Sequence, residues 1–323
     1  RRRAARRPFP TPCRERPVAE INALQVHTDR RPAMGGTAAV TLVGGTPELL
    51  DDCFRMLRDL EWAWSRFVAG SDVWRLNWSL GVPVRVRPST ARLVTELIDA
   101  WAVTGGDFDP TVLPRLVASG YATSRVDTSR CTALPDTAAW PGAVAGIEVA
   151  GTDIRLPVGT TLDPGGLGKG LAADMVAEFA LDHGAAGALA EVGGDIVVAG
   201  QPPHDVAWTI GIENPFAPDE LLATIRLGSG AVATSSRLVR AWHGPDGPTH
   251  HLIDPVTGRC AVTSAVTSTV IAGTGARAEA LAKLAFLRQP DPLLAWLPAI
   301  GAAALIVDAE HQRRFSANWS EFA

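Results

Sequence analysis

Strand-like and helix-like periods are interleaved along this chain, but never as a regular βαβ repeat. Ala38-Ala-Val-Thr-Leu-Val43 reads as a strand, and Thr46-Pro-Glu-Leu-Leu then opens a helix with a capping threonine and proline at the first helical position. Leu49, Cys53, Met56, Leu57, Leu60 and Trp64 follow at helical spacing. In a second unit, Val82-Pro-Val-Arg-Val86 reads as a strand and Pro88-Ser-Thr as the cap of a helix through Leu93, Leu97 and Trp101, ending at Gly105-Gly106. Further on, Gly146–Ala150 and Asp153–Leu156 suit a hairpin around Ala150-Gly-Thr. Strand patterns recur over 187–190, 195–199, 206–212, 222–227 and 267–273; helices over 276–288 and 291–297 precede the apolar strand Ala302–Val307. Such interleaving favours α+β over a doubly wound sheet.

We therefore expect one large α+β domain, with mixed sheets and interleaved helices, over residues 34–315, and a C-terminal tail over 316–323. Residues 1–33, rich in Arg and Pro and without apolar period, are expected to be a disordered basic leader, and 118–145 a surface excursion. With 46% apolar residues in 323, the chain can bury a sizeable core. A net charge of −4, with basic residues bunched only at the start, argues against nucleic acid as partner. No apolar stretch follows RRRAARRPFP to complete a secretory signal, and no segment reaches the roughly 18 apolar residues of a membrane span. Cys13, Cys53, Cys131 and Cys260 are far apart and form no C-x-x-C pair, so neither a zinc site nor a disulfide framework is visible. A cytoplasmic location is expected by default, with export the alternative if the true N-terminus is missing.

One stretch, Leu162-Asp-Pro-Gly-Gly-Leu-Gly-Lys-Gly170, places four glycines and a lysine before a helical run. It is not a P-loop, because Asp163 stands where the first glycine belongs and Gly170 follows the lysine. Nor is it a dinucleotide fingerprint, since Gly166-Leu-Gly168-Lys-Gly170 is one residue short. What survives is general: glycines let a ligand approach backbone N–H groups, a helix N-terminus favours an anion, and Lys169 adds a full positive charge. A plain glycine-rich turn with its lysine in water fits the local residues equally well.

Four further patches accompany it: Ala33-Met-Gly-Gly-Thr37, Thr104-Gly-Gly-Asp-Phe-Asp-Pro-Thr111, Glu191-Val-Gly-Gly-Asp-Ile196 and His250-His-Leu-Ile-Asp-Pro-Val-Thr-Gly258. Lesser ones lie at Ser65-Arg-Phe67, Ser71–Asn77 and Ala278-Glu-Ala-Leu-Ala-Lys283. In this order they resemble the ApbE family of FAD:protein FMN transferases. The resemblance implies a single α+β domain that binds FAD, splits its pyrophosphate with the help of Mg²⁺ and joins FMN to a Thr or Ser hydroxyl of a target protein, releasing AMP. The implied acceptor is an Asp-x-x-Thr/Ser-Gly-Ala-Thr/Ser type motif. By the same resemblance, Met34, Phe67, Asp107, Phe108, Asp109, Asp163, Gly193 and Gly194 belong to the FAD pocket. Lys169 and the main-chain N–H groups of 165–168 would hold phosphate oxygens, and His251 would take or relay the hydroxyl proton. Asp254–Gly258 reads by itself as a turn with a positioning role.

The resemblance departs where the metal is implied. Gly166 can offer its carbonyl and Glu279 its carboxylate, but Lys283 stands where an oxygen ligand is usual, and an ammonium only donates. Two readings stay open: an altered but retained Mg²⁺ site, which we expect, or an ammonium in the cation's place. Glu279 and Lys283 are also spaced for an ordinary helical ion pair. Hydrolysis of FAD to FMN and AMP, and FAD binding without turnover, are the rival functions.

Overall fold

The structure, a computed structural model, describes residues 9–12, 24–204, 206–244 and 247–323. Its strands are β1 Thr11–Pro12, β2 Val26–Ala33, β3 Gly36–Val43, β4 Val84–Arg85, β5 Glu148–Ala150, β6 Asp153–Arg155, β7 Gly187–Val192, β8 Asp195–Gly200, β9 Trp208–Asn214, β10 Ala217–Ser236, β11 Ala241–Gly244, β12 Gly247–His250, β13 Ala265–Ala272, β14 Ala303–Asp308 and β15 Arg313–Phe315. The helices are α1 Pro47–Trp64, α2 Asp72–Asn77, α3 Pro88–Thr104, α4 Leu113–Ala118, α5 Gly168–Asp182, α6 Gly275–Ala282 and α7 Pro290–Trp296.

Local chemistry explains most of these boundaries. Thr46 caps α1 by accepting the Leu49 N–H, with Pro47 at the first turn, and Gly105 ends α3 in the left-handed region at φ 68°. The β5–β6 hairpin turns at Gly151, φ 63°, as its sequence suggests. The cap of α3 differs from expectation. Arg87 occupies it without a side-chain bond, because the helix already starts at Pro88; Thr90 lies inside the first turn and gives its hydroxyl to Asp72 Oδ2 at 2.9 Å. Strand β4 is also shorter than expected, since Pro83 has no N–H to give to a ladder.

The main sheet runs β15-β14-β13-β10-β8-β7-β3-β2, and β1 and β9 pair with β10 off this path. Every pairing is antiparallel. An antiparallel sheet with helices gathered on it is the α+β class that the interleaving predicts. Period two sorts its side chains onto two cores. On β14, Ala304 and Ile306 join the helix side with α1, α5 and α6, whereas Ala303, Leu305 and Val307 join the opposite side. That second core is closed by β9, the first half of β10, Trp319 and Phe322.

The ends of the chain depart from expectation. Residues 26–33, assigned to the leader, are strand β2, paired along its full length with β3 from Val26↔Val43 to Ala33↔Gly36. Their half-exposed alternation has little apolar signal to reveal it. Thr11–Pro12, also in the expected leader, form β1 against β10, while 1–8 and 13–23 lie outside the described residues. The expected tail is likewise packed: Trp319 and Phe322 are buried, and the Phe322 carbonyl accepts the Arg226 N–H at 2.7 Å. No helix among the described residues is long and apolar enough to cross a membrane.

Candidate functional site

Sheet register gathers three turns at one end of the molecule. Ala38 of β3 faces Val192 of β7, and Val192 faces Asp195 of β8, so the Met34-Gly35 turn lies beside the Gly193-Gly194 turn. Strand β10 runs antiparallel to β8 and ends at the same side, delivering Arg240 on the following turn. Between the Met34-Gly35 turn, the turn bearing Arg240, the C-terminal end of α1 and the start of α5 lies a cleft of about 680 Å³. Gly193 and Gly194, expected in the pocket, do not line this cleft; Gly193 backs the Lys169 stem instead. That volume is in the range of small-molecule sites.

The glycine-rich loop forms one wall. Asp163 opens it, accepting the Gly165 N–H at 3.3 Å and donating its own N–H to Pro110 at 2.8 Å. This ties the loop to the Gly105–Pro110 segment. There Phe108 lies so close to the loop that a Cβ on Gly166 would come within 2.6 Å of its ring. Asp109 accepts the Thr111 N–H and hydroxyl, both at 2.7 Å, and burial raises its carboxyl despite them. Asp107 pairs with Arg288.

Beside the loop stands an aromatic and cationic wall that sequence reasoning caught only in part. Phe67 lies 6.2 Å from Tyr121 between ring centroids, and the buried Arg66 guanidinium stacks on both, at 4.1 and 4.7 Å. Arg66 donates to the Tyr121 carbonyl at 2.9 Å and lies 3.5 Å from Asp163. Tyr121, with Arg125 and Arg130, comes from the stretch read as a surface excursion, which instead lines the cleft. No local period marks it; only the fold brings it in. Met34 also lines the cleft, in the left-handed region at φ 54°.

Beneath the loop, four charged side chains are packed together. Lys169, in the first turn of α5, points between Asp195 and Glu279, with Nζ 3.0 Å from Glu279 Oε1 and in contact with Asp195. Lys283 Nζ lies 3.4 Å from the same Oε1 and 3.1 Å from the Glu279 carbonyl, while Glu279 Oε2 accepts the Gly170 N–H at 2.9 Å. Gly193 permits this, since a Cβ there would stand 3.1 Å from the Lys169 stem. Burial would lower the Lys169 ammonium, but the two carboxylates outweigh it and hold it at about 12. Burial pushes Asp195 up to about 6 against the pull of Lys169, whereas Glu279, which burial would also raise, is drawn down to about 2 by the two lysines.

This donor set does not fit Mg²⁺, which takes oxygen ligands at about 2.0–2.1 Å. Both Glu279 oxygens are already occupied by N–H donors, Asp195 is held by Lys169, and Lys283 has no oxygen to offer. Among the described residues, no group of three or more His, Cys, Asp or Glu side chains is placed to hold a metal ion. Glu279 and Lys283 thus form the helical ion pair that their spacing also allows, where an altered Mg²⁺ site is the expectation.

His251 completes the site. Its N–H bonds Arg240 O at 3.2 Å, and the following Asp254–Gly258 stretch forms the turn its sequence suggests, with the Asp254 side chain accepting the Val256 N–H at 2.7 Å. Burial, with Arg240 and Lys283 nearby, pushes the imidazole down to about 3. Among the described residues, His251 Nδ1 and Trp64 Nε1 in the lining are buried without a hydrogen-bond partner. The Arg240 guanidinium, too, has no partner among the described residues. Orphaned buried polar groups are uncommon in folded proteins, and a cleft that holds several is fitted for a polar ligand.

A family model described as the ApbE family matches residues 34–306. The chain belongs to the ApbE family. Among its curated relatives, the FAD:protein FMN transferase of Treponema pallidum (strain Nichols) is 26% identical over 285 residues, 80% of this chain and 77% of the relative. That of Vibrio cholerae serotype O1 (strain ATCC 39541 / Classical Ogawa 395 / O395) is 27% identical over 277 residues, 81% of each chain. The solved ApbE protein of Thermotoga maritima has the same fold, with a TM-score of 0.78 and 24% identity over 92% of this chain and 99% of that one. Apo flavinyl transferase ApbE of Pseudomonas stutzeri gives a TM-score of 0.77 and 23% identity over 94% and 98%. In this ApbE chain, motif reading had reached Lys169, Glu279, Lys283 and His251. It places Asp195 only as part of the Gly193-Gly194-Asp195 turn beside the ligand, and it misses Arg66, Tyr121 and Arg240. Arg66 stands inside the Ser65-Arg-Phe67 motif already singled out; Tyr121 and Arg240 carry no signal in the sequence.

Proposed function

We propose that this ApbE chain transfers the FMN part of FAD to a Thr or Ser hydroxyl of a target protein, releasing AMP. The observation that carries the reading is the cleft itself: a glycine-rich loop at a helix start, in one lining with the buried His251 Nδ1 and Trp64 Nε1 and the Arg240 guanidinium, none of which has a partner among the described residues. Met34 and Phe67 are assigned to the flavin, with Asp107, Phe108 and Asp109 lining its pocket. The pyrophosphate is assigned to the loop at Asp163–Gly168, by the start of α5, where backbone N–H groups favour an anion.

The acceptor oxygen attacks the FMN phosphorus, forming the phosphoester as the bond to the AMP phosphate breaks and its electron pair leaves with AMP. The hydroxyl proton passes to His251, which is neutral in the free protein and so able to take it. Bound pyrophosphate offsets the nearby positive charges that depress the imidazole, making it a better base in the complex. Lys169 and the Gly193-Gly194 turn hold Asp195 and Glu279 in place behind the loop. Mg²⁺ has no step in this scheme. The acceptor is taken to be a segment of the Asp-x-x-Thr/Ser-Gly-Ala-Thr/Ser type. Free thiols at Cys53, Cys131 and Cys260 favour a cytoplasmic setting.

Incubation with FAD and a protein bearing that segment tests the reading. AMP release with flavin fluorescence covalently on the acceptor is expected. AMP without labelled acceptor would make the chain a pyrophosphatase, and tight FAD without AMP a binding protein.

A further inference from the structure

The two lysines that share Glu279 raise the question of where the positive charge on the pyrophosphate comes from. We propose that Lys283 is the resident cation of this site, acting with Lys169 and Arg240, so that flavin transfer proceeds without a divalent metal ion. This rests on the flavin-transfer reading.

The first support is occupancy. Glu279 Oε1 accepts from Lys169 at 3.0 Å and Lys283 at 3.4 Å, and Oε2 accepts from the Gly170 backbone at 2.9 Å. A metal ion on either oxygen would have to displace one of these N–H donors, and on Oε1 it would sit against two ammonium groups. The second is charge balance. Lys169 and Lys283 against Asp195 and Glu279 make a neutral quartet, both carboxylates being almost wholly buried. A divalent ion added there would leave two positive charges uncompensated in the interior.

The third support is the count of donors. An ammonium has three N–H bonds. Lys283 directs two to Glu279, its Oε1 and its carbonyl, and Lys169 one each to Asp195 and Glu279. Each keeps one for the cleft, which both line, with 14% and 19% of their side chains exposed there. Arg240 adds a guanidinium without a partner among the described residues. As the bond to AMP breaks, negative charge gathers on the departing phosphate oxygens. Fixed N–H donors aimed at them stabilise that charge with no reorganisation at the moment of reaction. Atoms and electrons balance as in the proposed transfer, and no co-reactant is needed.

The test uses the full chain stripped with EDTA and checked for metals by elemental analysis. FAD binding, AMP release and acceptor labelling are then followed in EDTA and in millimolar Mg²⁺, with Mg²⁺ titrated calorimetrically into the FAD complex. We expect FAD to bind in EDTA, transfer rates in the two conditions to agree within about twofold, and no stoichiometric Mg²⁺ site. A fall of about tenfold or more in EDTA that Mg²⁺ restores, with one ion bound per chain, overturns the proposal and leaves flavin transfer standing. No AMP release in either condition overturns both. Lys283→Met keeps the stem and removes the charge. It should lower transfer by about 100-fold with its melting temperature little changed, while Lys283→Arg retains most activity. Unimpaired transfer in a folded Lys283→Met protein also overturns the proposal; if that variant does not fold, the chelator comparison on the unaltered chain decides.

Discussion

Met34 and His251 show how single residues are bent toward the cleft. The Met34-Gly35 turn has φ of 54° and 76°, the pair of positive values that a tight hairpin needs and that Asn-Gly usually supplies. A methionine there is strained by roughly 1 kcal/mol, which fits a side chain kept for what it touches. His251 is the better test of chemistry. Its imidazole is pushed down to about 3, below the ordinary 6.5, so the folded state binds its proton less tightly than the unfolded chain. Its stability contribution is therefore intact above pH 6.5 and is lost as pH falls from there toward 3. For the same reason the pH profile of kcat/KM, which reports the free protein, should show no histidine limb near 6.5. His251→Ala should slow transfer by about 10²–10⁴-fold. A limb near 6.5 that vanishes in the alanine variant would contradict the geometry around this ring.

At the scale of elements, the site depends on how α5 meets α6. A Cβ on Gly170 would lie 2.2 Å from the Gly275 carbonyl oxygen, and one on Gly275 would lie 2.3 Å from the Gly170 oxygen, so only glycine lets the two backbones approach. Asp174 locks the same junction, accepting the Gly275 N–H at 2.6 Å and the Ala276 N–H at 3.0 Å at the start of α6. This contact sets the depth of Glu279 and Lys283 beneath Lys169. Gly170→Ala should therefore cost about 1–3 kcal/mol of stability and also slow transfer, because the helices must part. Melting curves and initial rates of one variant read both effects; an unchanged rate would separate the junction from the site.

At the scale of the molecule, the sheet carries the site on one end and separates two cores. Phe322 closes the core away from α5 and α6, with 4% of its surface exposed. Phe322→Ala should lower stability by about 3–5 kcal/mol, seen as a drop in the denaturant midpoint, while FAD affinity in the folded protein changes little. A large loss of affinity instead would mean that the two cores do not act separately.

Local chemistry alone determined the helix at Thr46–Trp64, the stop at Gly105, the β5–β6 hairpin and the interleaving that implies α+β, because each depends on residues within a turn or two. It also determined the loop at Leu162–Gly170 and the motif residues around it. It did not reach the second core behind Trp319 and Phe322, nor strand β2, whose half-exposed side chains show little period. Tertiary structure decided the rest of the site. Residues 118–145 have no period because they pack by contact with Arg66, Phe67 and Trp242, not as a regular element. Glu279 and Lys283 read as a helical pair in either setting. Only the approach of α5 to α6, set by backbone contact between glycines a hundred residues apart, places Lys169 and Asp195 against them and fills the carboxylate oxygens a metal ion would need.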